Sequence, residues 1–113
     1  MNRESSMAFQ KRNSTRVDLW LNVFAEVKFE NRRIDGRVKN LGSRGMFLET
    51  TDQLPIRKAL AIKLFFRLKN SRDLLLKAAG TVVWKSDNGI GIQFDKIDID
   101  KFRECVVAMI NDD

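Results

Sequence analysis

Alternating apolar and polar positions run through much of the chain and predict β-strands. A period of two places successive side chains on opposite faces, which is typical of a half-buried strand. Six segments read as strands on this basis, at residues 17–29, 34–38, 46–50, 60–68, 74–84 and 90–94.

Short polar or glycine-containing segments separate these strands and predict turns. Glu30-Asn31-Arg32 is a plausible turn, and Asn88-Gly89 is a pair favoured in tight hairpins because both residues can adopt positive φ. Gly36 interrupts the second strand and predicts a bulge or a close backbone approach. Ala78-Ala79-Gly80 forms the weak middle of the fifth strand.

The period changes near the C-terminus, where we predict a helix over about residues 99–111. Asp98 or Asp100 can cap it, because a carboxylate accepts from orphan backbone N–H groups. One apolar stripe recurs at helical spacing: Ile99, Phe102, Val106, Met109 and Ile110. Six short strands followed by one helix predict a mainly β protein, either a small antiparallel barrel or a curled sheet.

Composition indicates one globular domain. The chain has 113 residues, of which 43% are hydrophobic and 32% charged. No apolar run approaches the roughly 20 residues that span a bilayer. The polar N-terminus lacks the apolar segment of a secretory signal, so we expect a cytoplasmic protein. Residues 1–11 lack periodicity and are expected to form a flexible arm before a single domain at 12–113.

Cysteine and histidine content argues against an enzyme. The chain has one cysteine and no histidine, which excludes an internal disulfide and removes the commonest general base. Cys105 lies in an apolar pattern and is expected to be a buried structural thiol. With no paired acid–base carboxylates in a motif and no P-loop, we expect no catalytic residues, no metal and no cofactor.

Positive charge is concentrated in two segments and favours an anionic partner, whether nucleic acid, nucleotide or acidic lipid. The net charge is +6. Residues 1–16 carry four bases against one acid, and residues 31–45 carry five bases against one acid. Together these segments exceed the net charge of the whole chain, although solvated surface is the plainer interpretation of either one.

The two segments also contain residues suited to a nucleotide. Arg12 and Arg16 are four residues apart, so they share a side in a helix or in an extended chain. Guanidinium groups bind phosphate bidentately and pair with guanine O6 and N7. In the second segment, Asn40 can read a base edge, while Gly42 and Gly45 allow positive φ or close approach to a ligand. Taken alone, this stretch could equally be a glycine-containing strand connection.

The combination Arg12-x-x-x-Arg16 and Asn40-x-Gly42-x-x-Gly45 resembles the PilZ domain family of bacterial cyclic di-GMP receptors. That family carries an Arg-x-x-x-Arg element followed by an (Asp/Asn)-x-Ser-x-x-Gly element. The resemblance covers about residues 10–110 and implies a stand-alone PilZ-type domain, a six-stranded antiparallel β-barrel with a C-terminal α-helix. The flanks resemble the family too, at Met46-Phe47-Leu48-Glu49-Thr50, Gly80-x-Val82-x-Trp84 and Asn88-Gly89-Ile90-Gly91-Ile92-Gln93-Phe94.

The resemblance implies a cyclic di-GMP site made of Lys11, Arg12, Arg16, Asn40, Gly42, Ser43, Arg44 and Gly45. The two arginines would clamp phosphates and guanine Hoogsteen edges, Asn40 would bond a guanine edge, and Gly45 would permit the turn. Lys11 stands where members often carry a basic residue, a feature linked to binding an intercalated ligand dimer. Gly42 replaces the motif serine. Ser43 could partly substitute for the missing hydroxyl, and Arg44 adds charge.

We therefore expect a receptor that orders its N-terminal arm around cyclic di-GMP and signals to a protein partner, without membrane insertion. One alternative is a ligand-blind PilZ-like adaptor that binds only protein, which Gly42 favours. Another is a small basic barrel that binds nucleic acid, for which Trp20 and Phe24 are the candidate stacking residues on the first strand.

Overall fold

The protein is described here by a computed structural model over residues 22–69 and 72–112. Its elements are β1 (Val23–Phe29), β2 (Arg32–Lys39), β3 (Gly45–Glu49), β4 (Ala59–Arg67), β5 (Asp73–Ser86), β6 (Gly89–Ile97) and α1 (Ile99–Ile110). This order confirms the prediction of a mainly β chain with six strands and a C-terminal helix. The part of the first predicted strand before residue 22 lies outside the described residues.

The six strands close into an antiparallel barrel in the order β1-β2-β3-β6-β5-β4. Closure comes from the pairing of β1 with β4, in which Val23 lies opposite Phe66. A barrel, rather than a curled sheet, is thus the outcome. Strand alternation fills its interior, because Val23, Ala25 and Val27 are buried while Phe24 lies between them on the outer face.

The prediction for the Asn88-Gly89 hairpin is wrong in its geometry. Among the described residues with positive φ are Glu30, Asn40 and Arg57, and no described glycine has positive φ. Asp87 and Asn88 form the turn, and Gly89 is already the first residue of β6. Gly89 is needed for a different reason, since a Cβ there would collide with the Phe47 ring and the Leu48 carbonyl.

The prediction for Gly36 is confirmed as a close backbone approach. A Cβ at this position would collide with the Glu49 carbonyl oxygen of β3. The pairing of β1 with β2 keeps one register through Gly36, with Ala25 opposite it, so β2 has no bulge there. The β5–β6 pair is irregular instead, with register shifts between Ala79 and Gly80 and between Val82 and Trp84.

Helix α1 packs against β4 and β5. Asp98 is its N-cap, and the Oδ1 atom accepts from the Lys101 N–H at 3.0 Å, so one of the two predicted caps is confirmed. The helix buries Phe102, Cys105 and Met109. The predicted stripe is therefore partly wrong, because Ile99 and Ile110 are exposed and Cys105 takes the inward position.

Cys105 is only 2% exposed, as predicted for a structural thiol. Burial raises the pKa of this thiol, so it stays protonated near neutral pH and is a poor nucleophile.

Within residues 22–69 and 72–112, no helix is long and apolar enough to cross a bilayer.

Candidate functional site

The turn between β2 and β3, residues 40–44, is built from local contacts that the sequence explains. Asn40 opens it with φ 52, a left-handed conformation that asparagine tolerates better than most residues. Leu41 is buried and anchors the turn to the core. The Gly42 N–H donates to the Gly45 carbonyl at 2.9 Å, and the Phe94 N–H donates to the Arg44 carbonyl at 2.7 Å. The backbone of the turn is thus fixed both internally and to β6.

Neither Gly42 nor Gly45 has positive φ, so that alternative of the sequence prediction is wrong, and close approach to a ligand stays a prediction. Gly45 lies opposite Gln93, and a Cβ at Gly45 would collide with the Ile92 carbonyl oxygen. Its role is therefore close packing of β3 against β6. A Cβ at Gly42 would meet nothing within 4 Å, so this position opens directly to space.

Next to the turn lies an aromatic pair to which the sequence analysis assigned no role. The rings of Phe47 and Trp84 stack with centroids 5.3 Å apart and planes inclined by 27°. Both residues lie opposite Gly91, one from β3 and one from β5. A Cβ at Gly91 would collide with the Trp84 indole. Glycine at this position is what allows the indole to lie over β6.

The register shift beside Val83 explains why Trp84 points outward. Val82 is fully buried, and strict alternation would place Trp84 on the same inner face. The extra residue turns the chain so that Val83 and Trp84 are 43% and 49% exposed. A bulge of this kind re-aims a side chain, here from the core to the surface beside the turn.

The turn and the aromatic pair enclose an open groove with a volume of about 580 Å³. All five of the predicted site residues that the structure describes lie along it: Asn40, Gly42, Ser43, Arg44 and Gly45. Residues that the sequence analysis did not assign to the site also line it, among them Phe47, Val83, Trp84 and Gln93. Gly91 was the one sequence feature that pointed to the aromatic pair, since a glycine within a strand indicates that another group approaches its backbone closely.

The remaining predicted site residues, Lys11, Arg12 and Arg16, lie outside the described residues. The barrel does fix the place where the chain arrives. Phe24 lies opposite Arg37, so the start of β1 is adjacent to the end of β2 that leads into the turn. The N-terminal segment therefore joins the barrel at the end where the groove lies.

Several basic residues of the second charged segment contact groups of the barrel itself. Lys39 pairs with Glu49 at 2.8 Å, Arg33 pairs with Glu26 at 3.3 Å, and Arg37 lies 6.0 Å from the centre of the Phe24 ring. Arg44, by contrast, is exposed and lines the groove. The cationic character of the groove comes from this residue rather than from the whole charged segment.

The groove thus combines an exposed arginine with an aromatic pair on the surface of a small β-barrel. The model of the PilZ domain family matches residues 10–112, and the chain belongs to this family. PilZ domains are binding and adaptor domains rather than enzymes, and at the level of the family they serve as cyclic di-GMP receptors. Among curated proteins, none matches the chain.

Proposed function

We propose that this protein binds cyclic di-GMP in the groove beside the turn and that Arg12 and Arg16 close over the ligand. The observation that carries the proposal is the gathering of Asn40, Gly42, Ser43, Arg44 and Gly45 along one groove. The groove volume of about 580 Å³ is within the roughly 300–1,000 Å³ of ordinary ligand sites. Membership of the PilZ family gives the ligand class.

The covalent reach of the N-terminal segment supports the participation of both arginines. Arg16 precedes Val23 by seven residues, and an extended chain of that length spans roughly 23 Å. Because β1 starts beside the turn, this length is ample for the Arg16 and Arg12 guanidinium groups to reach a ligand in the groove. Each can bind a phosphate bidentately or pair with guanine O6 and N7, and Lys11 adds a third positive charge.

The aromatic pair supports a ligand that carries nucleobases. Phe47 holds the Trp84 indole at the edge of the groove, and the indole is about half exposed. Stacking on such a ring is available to every base and contributes about 1–3 kcal/mol per base. The groove therefore offers an aromatic surface for a guanine together with an arginine for a phosphate.

Gly42 favours a second candidate function, an adaptor that binds protein without cyclic di-GMP. The family motif has serine at this position, and glycine provides no hydroxyl. Loss of one ordinary hydrogen bond costs about 0.5–1.5 kcal/mol, which weakens a site without abolishing it. Ser43 and Arg44, which also line the groove, offer a neighbouring hydroxyl and an added charge.

We further propose that the ligand orders residues 1–16 on the barrel, and that this ordered segment presents a new surface to a protein partner. These residues lie outside the described part of the chain. Hydrogen exchange with and without cyclic di-GMP tests the idea. Protection of amides within residues 1–16 should rise at saturating ligand, and unchanged protection would exclude a ligand-dependent ordering.

Calorimetric titration of the full chain with cyclic di-GMP tests the binding proposal. We expect saturable binding that weakens strongly in Arg12→Ala and Arg16→Ala, because each variant leaves a phosphate or a guanine edge unpaired. Arg103→Ala is the matched control, since Arg103 is an exposed arginine on α1 that pairs with Asp100. A flat titration of the wild type would favour the ligand-blind adaptor. Wild-type affinity in both arginine variants would overturn the clamp.

A further inference from the structure

A polar cluster on the outer face of β5 and β6 borders the groove. Thr81 lies opposite Gln93 in the β5–β6 pair, and Asp95 follows on the same face of β6. The Thr81 hydroxyl donates to Asp95 Oδ2 at 2.5 Å, and Gln93 Nε2 donates to Asp95 Oδ1 at 3.4 Å. Asp95 therefore binds both of its neighbours through its carboxylate.

These contacts orient the Gln93 amide. A carboxylate only accepts hydrogen bonds, so Gln93 must turn its NH₂ group toward Asp95. The carbonyl oxygen, Oε1, is then the end of the amide that remains for another partner. Gln93 lines the groove and lies opposite Gly45 of β3, where no side chain separates it from the turn.

The position of Gln93 relative to the aromatic pair suits one edge of a stacked base. Trp84 lies over Gly91, and Gln93 is the next residue on the same face of β6. Residues two apart on a strand are separated by roughly 7 Å. A purine stacked on the Trp84 indole therefore has its rim within reach of the Gln93 amide.

We infer that Gln93 is a base-specificity residue whose Oε1 accepts from N1–H and the 2-amino group of a guanine. The inference rests on the proposed function. Arginine pairs with guanine at O6 and N7, which leaves the donor edge to be read by an acceptor. Adenine presents a bare N1 acceptor there, which would face Oε1 without a proton between them. Hypoxanthine retains N1–H and lacks the 2-amino group.

Asp95 acts as a positioning residue for this contact, and Thr81 fixes Asp95 in turn. Removal of the Asp95 carboxylate frees the Gln93 amide to rotate and to present either end. We therefore expect Asp95→Ala to reduce the preference for guanine over hypoxanthine. The affinity for the hypoxanthine ligand, which lacks the 2-amino group, should change less.

The experiment compares cyclic di-GMP with its hypoxanthine counterpart, cyclic di-IMP, and with cyclic di-AMP. Calorimetry is performed on the full-length wild type and on Gln93→Ala, Gln93→Met, Asp95→Ala and Gln53→Ala. Methionine keeps the length of glutamine without its acceptor. Gln53→Ala is the matched control, because Gln53 is an exposed glutamine in the loop after β3.

We expect the wild type to bind cyclic di-GMP about two- to twelvefold more tightly than cyclic di-IMP, the effect of one neutral hydrogen bond. Cyclic di-AMP should bind more weakly still. Both Gln93 variants should bind cyclic di-GMP and cyclic di-IMP with about equal affinity. Gln53→Ala should keep the wild-type preference for cyclic di-GMP.

Two failures are distinguishable. If the wild type binds cyclic di-GMP but shows no preference over cyclic di-IMP, or if the Gln93 variants retain that preference, the role of Gln93 is overturned and the proposed function stands. If the wild type binds none of the three ligands, the proposed function fails and the role of Gln93 falls with it.

Discussion

At the scale of single residues, Gly42 of the turn and Gly45 at the start of β3 tolerate change very differently. Gly42 opens to space and has ordinary φ, so a side chain fits there without strain. We predict that Gly42→Ser tightens cyclic di-GMP binding by about 0.5–1.5 kcal/mol, or about two- to twelvefold, because it supplies the hydroxyl of the family motif. Calorimetry measures this change, and an equal or weaker affinity would show that the turn presents its ligand differently.

Gly45→Ser provides the contrast to that substitution. Its Cβ would collide with the Ile92 carbonyl oxygen, so β3 and β6 must separate to admit it. We predict a loss of about 1–3 kcal/mol in the free energy of unfolding, the usual cost of overpacking. Chemical denaturation measures the loss. Stability equal to the wild type would contradict the packing role that we assign to Gly45.

Trp84 lines the groove with an indole that is about half exposed. We predict that Trp84→Ala weakens cyclic di-GMP binding by about 1–3 kcal/mol, because a stacking surface for one base is lost. Trp84→Phe should retain part of the stacking surface and therefore part of the affinity. Ile110→Ala is the control, since Ile110 is an equally exposed apolar residue on α1 and does not line the groove. Equal affinities in Trp84→Ala and Ile110→Ala would remove Trp84 from the site.

The residues of the turn could be predicted from sequence because asparagine and glycine mark it chemically. Trp84 could not, because alternation places it on the inner face with Val82. Only the bulge at Val83 reverses that assignment. A bulge depends on how two strands fit together, and β5 alone carries no unambiguous mark of it. The role of Gln93 likewise depends on its cross-strand neighbours Thr81 and Gly45.

At the scale of elements, period-two alternation identified all six strands, because each has one face against a shared core. The Asn88-Gly89 pair led to a wrong prediction of the turn geometry. Its usual hairpin places both residues in the turn, whereas here the turn is Asp87-Asn88 and the Phe47 ring covers Gly89. Tertiary packing, rather than turn preference, fixes glycine at that position.

Helix α1 supplies the prediction at this scale. Asp98→Ala should lower the free energy of unfolding by about 0.5–2 kcal/mol, because the Lys101 N–H loses its capping acceptor. Asp100→Ala removes a first-turn carboxylate that pairs weakly with Arg103. The free energy of unfolding should therefore fall by less, about 0.5 kcal/mol. Urea denaturation compares the two variants. An equal or larger loss in Asp100→Ala would contradict the assignment of the cap.

At the scale of the whole molecule, strand alternation left the closure of the sheet open, and only the family resemblance predicted the barrel that the structure confirms. Alternation fits either a barrel or a curled sheet, and the difference lies in the pairing of β1 with β4 across a long sequence separation. That pairing joins the first and fourth strands while the third and sixth lie side by side. β3, β6 and β5 are direct neighbours in this order, and the groove lies where they meet the turn.

The pairing of β1 with β2 places the start of β1 beside the turn, and the chain that carries Arg12 and Arg16 leads into the barrel there. The sequence alone could propose that the two motifs act together. The barrel supplies a physical reason, because the start of β1 and the turn are neighbours. The positions of the two arginines themselves stay a prediction.

An NMR titration of the isotopically labelled full chain with cyclic di-GMP tests the central claim most directly. We predict saturable amide shifts concentrated at residues 40–47, around Trp84 and Gln93, and within residues 11–16. Amides on the β1–β4 side, such as those of Ala61 and Lys63, should move little. Shifts centred on that side or on α1, or no shifts at all, would contradict a cyclic di-GMP site at this groove.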